Sequence, residues 1–367
     1  MIPRFALAIL LGLHGLIHLM GFASAFGLAR IEAMPLVSRA AGVLWLNGAL
    51  LFAVAAVLLA RDVELWWIAG LLAIVQSQGL ISGAWREAKF GTIANLIALI
   101  AIMPGVARAV PGSLSRQFAD AVRSGVADSR PGIAVTEADL THLPAIVKQY
   151  LRRADVIGHE PAWSTRAVFD GRIRNGTNSA WMPMKVEQYN FFPRGVRAFH
   201  IASSLHGIPF EGLHLFDRSG ATMRIRVASI LNVVEASGPE MDVSETVTVF
   251  NDMCLLAPST LIDRSISWET LDSNSVRATF TQRGIAIRAV LRFSDDGDLV
   301  DFESEDRYQT ADGRSYVRYP WSTPVRDYAI VDGRRIWTTG EANWKMPSGA
   351  FTYGEFHLLS LEVNPRR

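Results

Sequence analysis

The chain of 367 residues has one cysteine, Cys254, so no internal disulfide can form. Its 36 Lys and Arg against 35 Asp and Glu leave a net charge of +1, without the concentrated basic surface that a phosphate backbone demands. A nucleic-acid partner is therefore excluded from the expectations. Also missing are a Gly-x-Ser-x-Gly elbow, a His-Glu-x-x-His zinc motif, a phosphate loop, a dinucleotide fingerprint and paired-cysteine zinc spacing. No reaction class is indicated, and the reading leans toward a protein that is not an enzyme. Long apolar runs are absent after residue 110, whereas before it they fill the chain.

Those runs are Pro3–Gly27, Ala40–Ala60, Leu65–Ser82 and Gly91–Ala109. Each approaches the ~20 residues that cross a ~30 Å hydrocarbon layer as a helix, which predicts a four-helix transmembrane bundle over 1–110. The charges of this region sit between the runs: Arg30, Glu32 and Arg39, then Arg61, Asp62 and Glu64, then Arg86, Glu87 and Lys89. Trp45, Trp66, Trp67 and Trp85 lie toward run ends, where amphipathic rings favour the membrane interface. Arg4, an apolar run and Ala23-Ser24-Ala25 also look like a secretory signal with its cleavage site. Such a signal gains nothing from His14 and His18, and the later runs place the chain in a bilayer in any case. A small positive excess, Arg30, Arg39, Arg86 and Lys89 against Arg4, Arg61 and Arg108, favours cytoplasmic first and third loops. The expected location is the inner cell membrane, with the large C-terminal part outside the cytoplasm.

Every run contains polar residues that are costly in lipid: His14 and His18, then Asn47, then Gln76 and Gln78, then Asn95. Because successive helices alternate in direction, His18, Asn47, Gln76, Gln78 and Asn95 fall in the same half of the bilayer, which predicts an intramembrane polar cluster. Hydrogen bonding between helices is the plainer explanation. His14 and His18, at i and i+4, share a helical face and could bind haem or a metal. No histidine occurs in the other three runs, so bis-histidine haem ligation between helices has no partner.

Residues 111–135, rich in small and polar types with Pro111 and Pro131, read as a linker. An amphipathic helix is expected over Thr136–Arg153, opened by Thr136-Glu137-Ala138-Asp139. From Trp163 to Val363 the hydrophobic period becomes two, with turn signals such as Asp217-Arg218-Ser219-Gly220, Asp295-Asp296-Gly297 and Asp332-Gly333. Roughly nine to eleven antiparallel strands are expected, interrupted by one helix near Asp242–Leu256 that Pro258 stops or bends. A meander of that length curls, so residues 136–367 are predicted to form a curved half-barrel with a helix in its mouth. The fold class is α+β: a helical membrane bundle followed by a curved antiparallel sheet.

The phrases FSDDGDLVDFESEDRY and RDYAIVDGRRIWTTGEANW, with a single helix between strand blocks, resemble the LolA/LolB-like lipoprotein carriers. The whole chain, through GLHGLIHLMGF, SQGLISGAWREAKFGTIAN, WMPMKVEQY and ASGPEMD, is similar to an uncharacterised bacterial membrane-protein family. Resemblance to the carriers implies a concave apolar face that holds acyl chains. It differs in the helical tether, which argues against a freely diffusing shuttle.

Candidate ligand-binding residues are Trp181, Glu187, Tyr189, Glu240, Trp268 and Trp321, aromatic or acidic groups set among apolar or turn residues. For Glu187 and Glu240 an ion pair with an arginine is the plainer alternative to a proton-carrying role. Asp301, Glu303 and Glu305 alternate along one strand and are read as a solvated outer face. His142, His159, His200, His206, His214 and His357 are scattered. Trp337 and Trp344, an odd number apart, should point to opposite faces unless a bulge intervenes. Three functions follow: binding of a membrane lipid, other apolar molecule or lipoprotein by the sheet; a redox or cofactor role for His14 and His18; and a structural or assembly role in the envelope.

Overall fold

A computed structural model of the protein describes residues 4–29, 38–63, 65–126, 132–205 and 208–365. Arg30, Glu32, Glu64, Pro131 and His206 lie outside the described residues. The chain divides into two compact units: Met1–Ser113 with Ala228–Ile230, and Leu114–Val227 with Leu231–Arg367.

The first unit holds α1 (Arg4–Ala25), α2 (Arg39–Ala60), α3 (Trp66–Gly83), the one-turn α4 (Trp85–Ala88) and α5 (Gly91–Ala109). On α1 the buried residues Leu7, Leu11, His14, Gly15, His18 and Gly21 form one stripe at helical spacing. The opposite side is equally apolar and exposed, with Phe5, Ile9, Leu13, Leu16 and Ile17 each more than half accessible. A helix of a water-soluble protein would be polar there, so this outer surface suits lipid. Small residues let α1 and α2 approach closely: a Cβ on Gly21 would stand 2.4 Å from the Trp45 ring, and one on Gly42 2.3 Å from the Ala25 Cβ. Three helical stretches, Arg4–Ala25, Arg39–Ala60 and Gly91–Val126, are long and apolar enough to cross a membrane. Four were expected. The difference is α3, which has only 18 residues, among them Gln76, Ser77 and Gln78.

In the second unit, α6 (Leu114–Val126) occupies part of the stretch expected to be a linker. Its amphipathic pattern is the reason: Phe118 packs on Tyr189 and His200, and Gly125 approaches Phe191 so closely that a Cβ would meet that ring at 2.3 Å. The helix expected over Thr136–Arg153 is broken. Glu137–Leu140 forms a 3-10 turn with the Thr136/Asp139 capping box, and α7 (Ala145–Arg153) restarts after Pro144. Ile146, Val147, Tyr150 and Leu151 of α7 enter the main core.

The strands β1 (Ser164–Ile173), β2 (Met182–Phe191), β3 (Val196–Leu205), β4 (Ile208–Asp217), β5 (Gly220–Val227) and β6 (Leu231–Ser237) form a meander, followed by α8 (Pro239–Leu256). Next come β7 (Ser267–Thr270), β8 (Ser275–Gln282), β9 (Ile285–Phe293), β10 (Leu299–Ser304), the small pair β11 (Tyr308–Gln309) and β12 (Val317–Arg318), then β13 (Trp321–Ser322), β14 (Val325–Val331), β15 (Arg334–Met346) and β16 (Gly349–Val363). One 14-stranded curved antiparallel sheet runs β6-β5-β4-β3-β2-β1-β16-β15-β13-β10-β9-β8-β7, with β14 paired to β15. First and last strands therefore join the two meanders, Thr165 opposite Val363, and the described sheet keeps two open edges, β6 and β7, instead of closing into a barrel. More strands form than expected because several, such as β11, β12 and β13, have two residues each, too short to show a period.

Side chains bridge what the ladder does not. Arg283 and Gly284, both at positive φ, make the two-residue turn between β8 and β9. From there the Arg283 guanidinium donates to the carbonyls of Arg194 (3.1 Å), Gly195 (2.9 Å) and Asp217, in the β2–β3 and β4–β5 turns. This clasp ties the two arms of the sheet at one rim.

Inside lies α8, with residues 244–256 all buried. It starts three residues before the expected Asp242, with Pro239 at its first position after Gly238 at φ +106. Its buried hydroxyls are satisfied within the helix: Ser244, Thr246 and Thr248 donate to the carbonyls of Glu240, Asp242 and Ser244. Phe250 stacks on Phe280 and meets Phe302 edge-on, fastening the helix to β8 and β10. Trp337 and Trp344 share this core, both about 5% exposed, against the parity expectation. The β15–β16 register shifts between Ala342 and Asn343, so strict alternation does not hold along β15.

Candidate functional site

Between α8 and the sheet remains a cavity of about 150 Å³. Phe169 on β1, Phe199 and Ile201 on β3, Leu255 on α8, Trp337 on β15 and Phe356 on β16 give it apolar walls. Polar groups gather at two places on its lining.

The first is a buried charge cluster. Arg197 on β3 pairs with Asp252 through Nε at 2.7 Å and with Glu245 at 3.1 Å, and both acids face it from α8, two turns apart. Gln188 (2.7 Å) and Asn190 (3.2 Å), alternate residues of β2, donate to the same Asp252 oxygen, and His214 on β4 lies 3.3 Å from Glu245. Burial raises the Glu245 carboxyl, but Arg197, His214 and Arg307 outweigh it and hold it at about 2. For Asp252 burial wins over Arg197 and Gln188, with the Glu245 charge adding to it, and its carboxyl is raised. Two carboxylates sharing one guanidinium separate in this way.

The second is Arg307, which follows β10. Its guanidinium stacks 4.1 Å over Trp321 and 5.4 Å from Trp344, and Nη1 donates to the Tyr353 hydroxyl at 3.1 Å. Trp321 Nε1 donates to the same hydroxyl at 3.0 Å. Asn251 of α8 donates to Thr323 nearby at 2.6 Å.

Of the six candidate ligand residues, Trp321 lines this cavity. Glu187 and Tyr189 lie on the opposite face of β2, in an open groove of about 650 Å³ beside α6, with Glu187 2.8 Å from Arg166. Trp181 is held by the Arg172 and Arg174 guanidinia, 4.7 and 4.4 Å from its ring. Glu240 is in the first turn of α8, and Trp268 is on the edge strand β7. The six thus do not form one site. The groups that do, Arg197, Glu245, Asp252, His214 and Arg307, were missed. A signal existed: Glu245 and Asp252 are seven apart in the expected helix, so they share a face, and once that face is buried they need a cation.

In the helical unit, His14 Nε2 is 3.0 Å from Asn95 Oδ1 and 3.4 Å from Ser77 Oγ. Asn95 donates to Ser77 and to Gln78 Oε1, and Gln78 to Thr92. Asn47 bonds Gln76, which reaches the Leu44 carbonyl. His18 Nδ1 donates to the His14 carbonyl at 2.8 Å, and the two rings meet edge-on at 80°. Among the described residues no three His, Cys, Asp or Glu side chains come together to hold a metal ion.

Fold and site define a class: a curved antiparallel sheet around a buried helix and a small apolar cavity, in a chain with apolar helices suited to a membrane. Residues 134–356 match the family of unknown function DUF6544, and the chain belongs to that family. No curated protein matches it. Among solved structures it is similar to a "putative outer membrane lipoprotein-sorting protein domain" from Vibrio parahaemolyticus, at 10% identity over 59% of this chain and 90% of that one, TM-score 0.34. It is also similar to a DUF1329 family protein from Desulfovibrio piger, at 11% identity over 60% and 92%, TM-score 0.32. A LolA superfamily protein from Nitrosomonas europaea matches at 11% over 60% and 94%, TM-score 0.32.

Proposed function

We propose that this is a multi-pass inner-membrane protein whose sheet domain, outside the cytoplasm, binds a lipid or other apolar ligand in the cavity beside α8. The observation that carries the reading is the cavity itself: a 150 Å³ space with aromatic and aliphatic walls and a few polar groups on its lining. Binding sites for small apolar molecules are built in this way. An apolar void of that volume takes a body the size of benzene, so it accommodates one ring or one chain segment. Larger ligands require α8 to move, and the Arg283 clasp stands against such opening. The buried charge cluster is internally paired, with each carboxylate already engaged by Arg197.

The test is calorimetric titration of the full chain in lipid nanodiscs, corrected with empty nanodiscs, with toluene, a single-ring probe. Saturable binding that disappears in Ala342→Trp, which fills the cavity, is expected. Binding identical in the two proteins would place the toluene elsewhere and overturn the reading.

A further inference from the structure

Resting on that reading, we infer that the ligand is a single-chain anionic amphiphile, its headgroup held by Arg307 and Tyr353 and its hydrocarbon in the apolar part of the cavity. Arg307 is 9% exposed and lines the cavity, yet no carboxylate among the described residues lies within 4 Å of it, and its Nε–H has no hydrogen-bond partner. Glu245 is near enough to feel the charge, but is engaged by Arg197 and His214. Stacking on Trp321 and Trp344 stabilises the cation without using its in-plane donors. A buried guanidinium with an idle N–H is costly unless something anionic completes it.

Tyr353 extends the same site. Its oxygen accepts from both Arg307 and Trp321, which leaves its own hydroxyl hydrogen to donate. Arg307 and Tyr353 both line the cavity and touch each other, so a cation and a hydroxyl donor stand side by side there, a pair that recognises a carboxylate or phosphate monoester. Phe169, Ile201, Leu255 and Phe356 supply walls fit for a chain, while the other charges on the lining are already paired, Asp252 with Arg197 and Glu341 with Arg326. The volume decides between one tail and two: 150 Å³ holds about one ring or a short chain segment, not a pair of acyl chains.

The experiment is calorimetric titration of the full chain in nanodiscs, corrected with empty nanodiscs, using octanoate, octyl phosphate and 1-octanol. One of the two anions is expected to bind at least tenfold tighter than the alcohol, and whichever is tighter identifies the headgroup. Arg307→Gln should remove that preference while 1-octanol affinity changes less than twofold, and Arg307→Lys should restore part of it. Tyr353→Phe, which deletes only a hydroxyl, should weaken the anion alone and guards against a folding defect in the arginine variants. If 1-octanol binds as tightly as both anions and Arg307→Gln changes nothing, the anionic headgroup is wrong while the apolar cavity stands. If none of the three amphiphiles binds and toluene binding ignores Ala342→Trp, the cavity reading fails and this inference with it.

Discussion

Arg197 shows how much a single residue can carry. It is 5% exposed and is the cation shared by two buried carboxylates of α8. Arg197→Met would leave Glu245 and Asp252 buried without it, and a loss of about 3–5 kcal/mol is expected from chemical denaturation followed by tryptophan fluorescence. Asp301 behaves oppositely. Burial, with Glu303 adding and Lys345 opposing, pushes its carboxyl from 3.8 up to about 6. The folded protein therefore holds that proton more tightly than the unfolded chain, and stability falls as pH rises from about 4 to about 6. At pH 8 the ionised group costs up to about 3 kcal/mol. Asp301→Asn should stabilise the protein at pH 8 by up to that amount, with the advantage vanishing below pH 4. A pH-independent difference between the two proteins would refute this. The sequence had placed Asp301 on a solvated face, because alternation reveals which residues share a face but not what covers it.

At the scale of elements, α6 and the clasp decide how the sheet is held. Helix α6 lies on β2–β4 because Gly125 permits contact with the Phe191 ring. Gly125→Ala should cost about 1–3 kcal/mol by overpacking and raise hydrogen exchange throughout Leu114–Val126. Arg283→Ala removes three bonds to carbonyls at the rim. Faster exchange at the Gly195 and Asp217 turns is expected, with β1 and β16 unchanged. Unchanged exchange at those turns would show that the clasp holds nothing. The strand pattern, the turns Asp217–Gly220 and Asp332-Gly333, and the helix before Pro258 were legible because period and turn chemistry are local. Helix α6 was not: its alternation of small, polar and apolar residues resembles a linker until a sheet face is present for Phe118 to pack on. The clasp was equally invisible, since nothing local links Arg283 to Gly195 across 88 residues.

For the whole molecule, the division into two compact units falls after Ser113, with Ala228–Ile230 joining the first. Why the cavity was not legible is topological: β3, β15, β16 and α8 meet around it through pairings such as β1 with β16, nearly 200 residues apart. Orientation is open to a direct check. Protease added to intact spheroplasts should release the sheet domain if it faces away from the cytoplasm, and protection of that domain would reverse the orientation. Ligand binding by the sheet domain is read without any added probe by native mass spectrometry of the detergent-purified full chain. A co-purifying amphiphile lost in Ala342→Trp is predicted; a bare protein mass in both would refute ligand binding in the cavity.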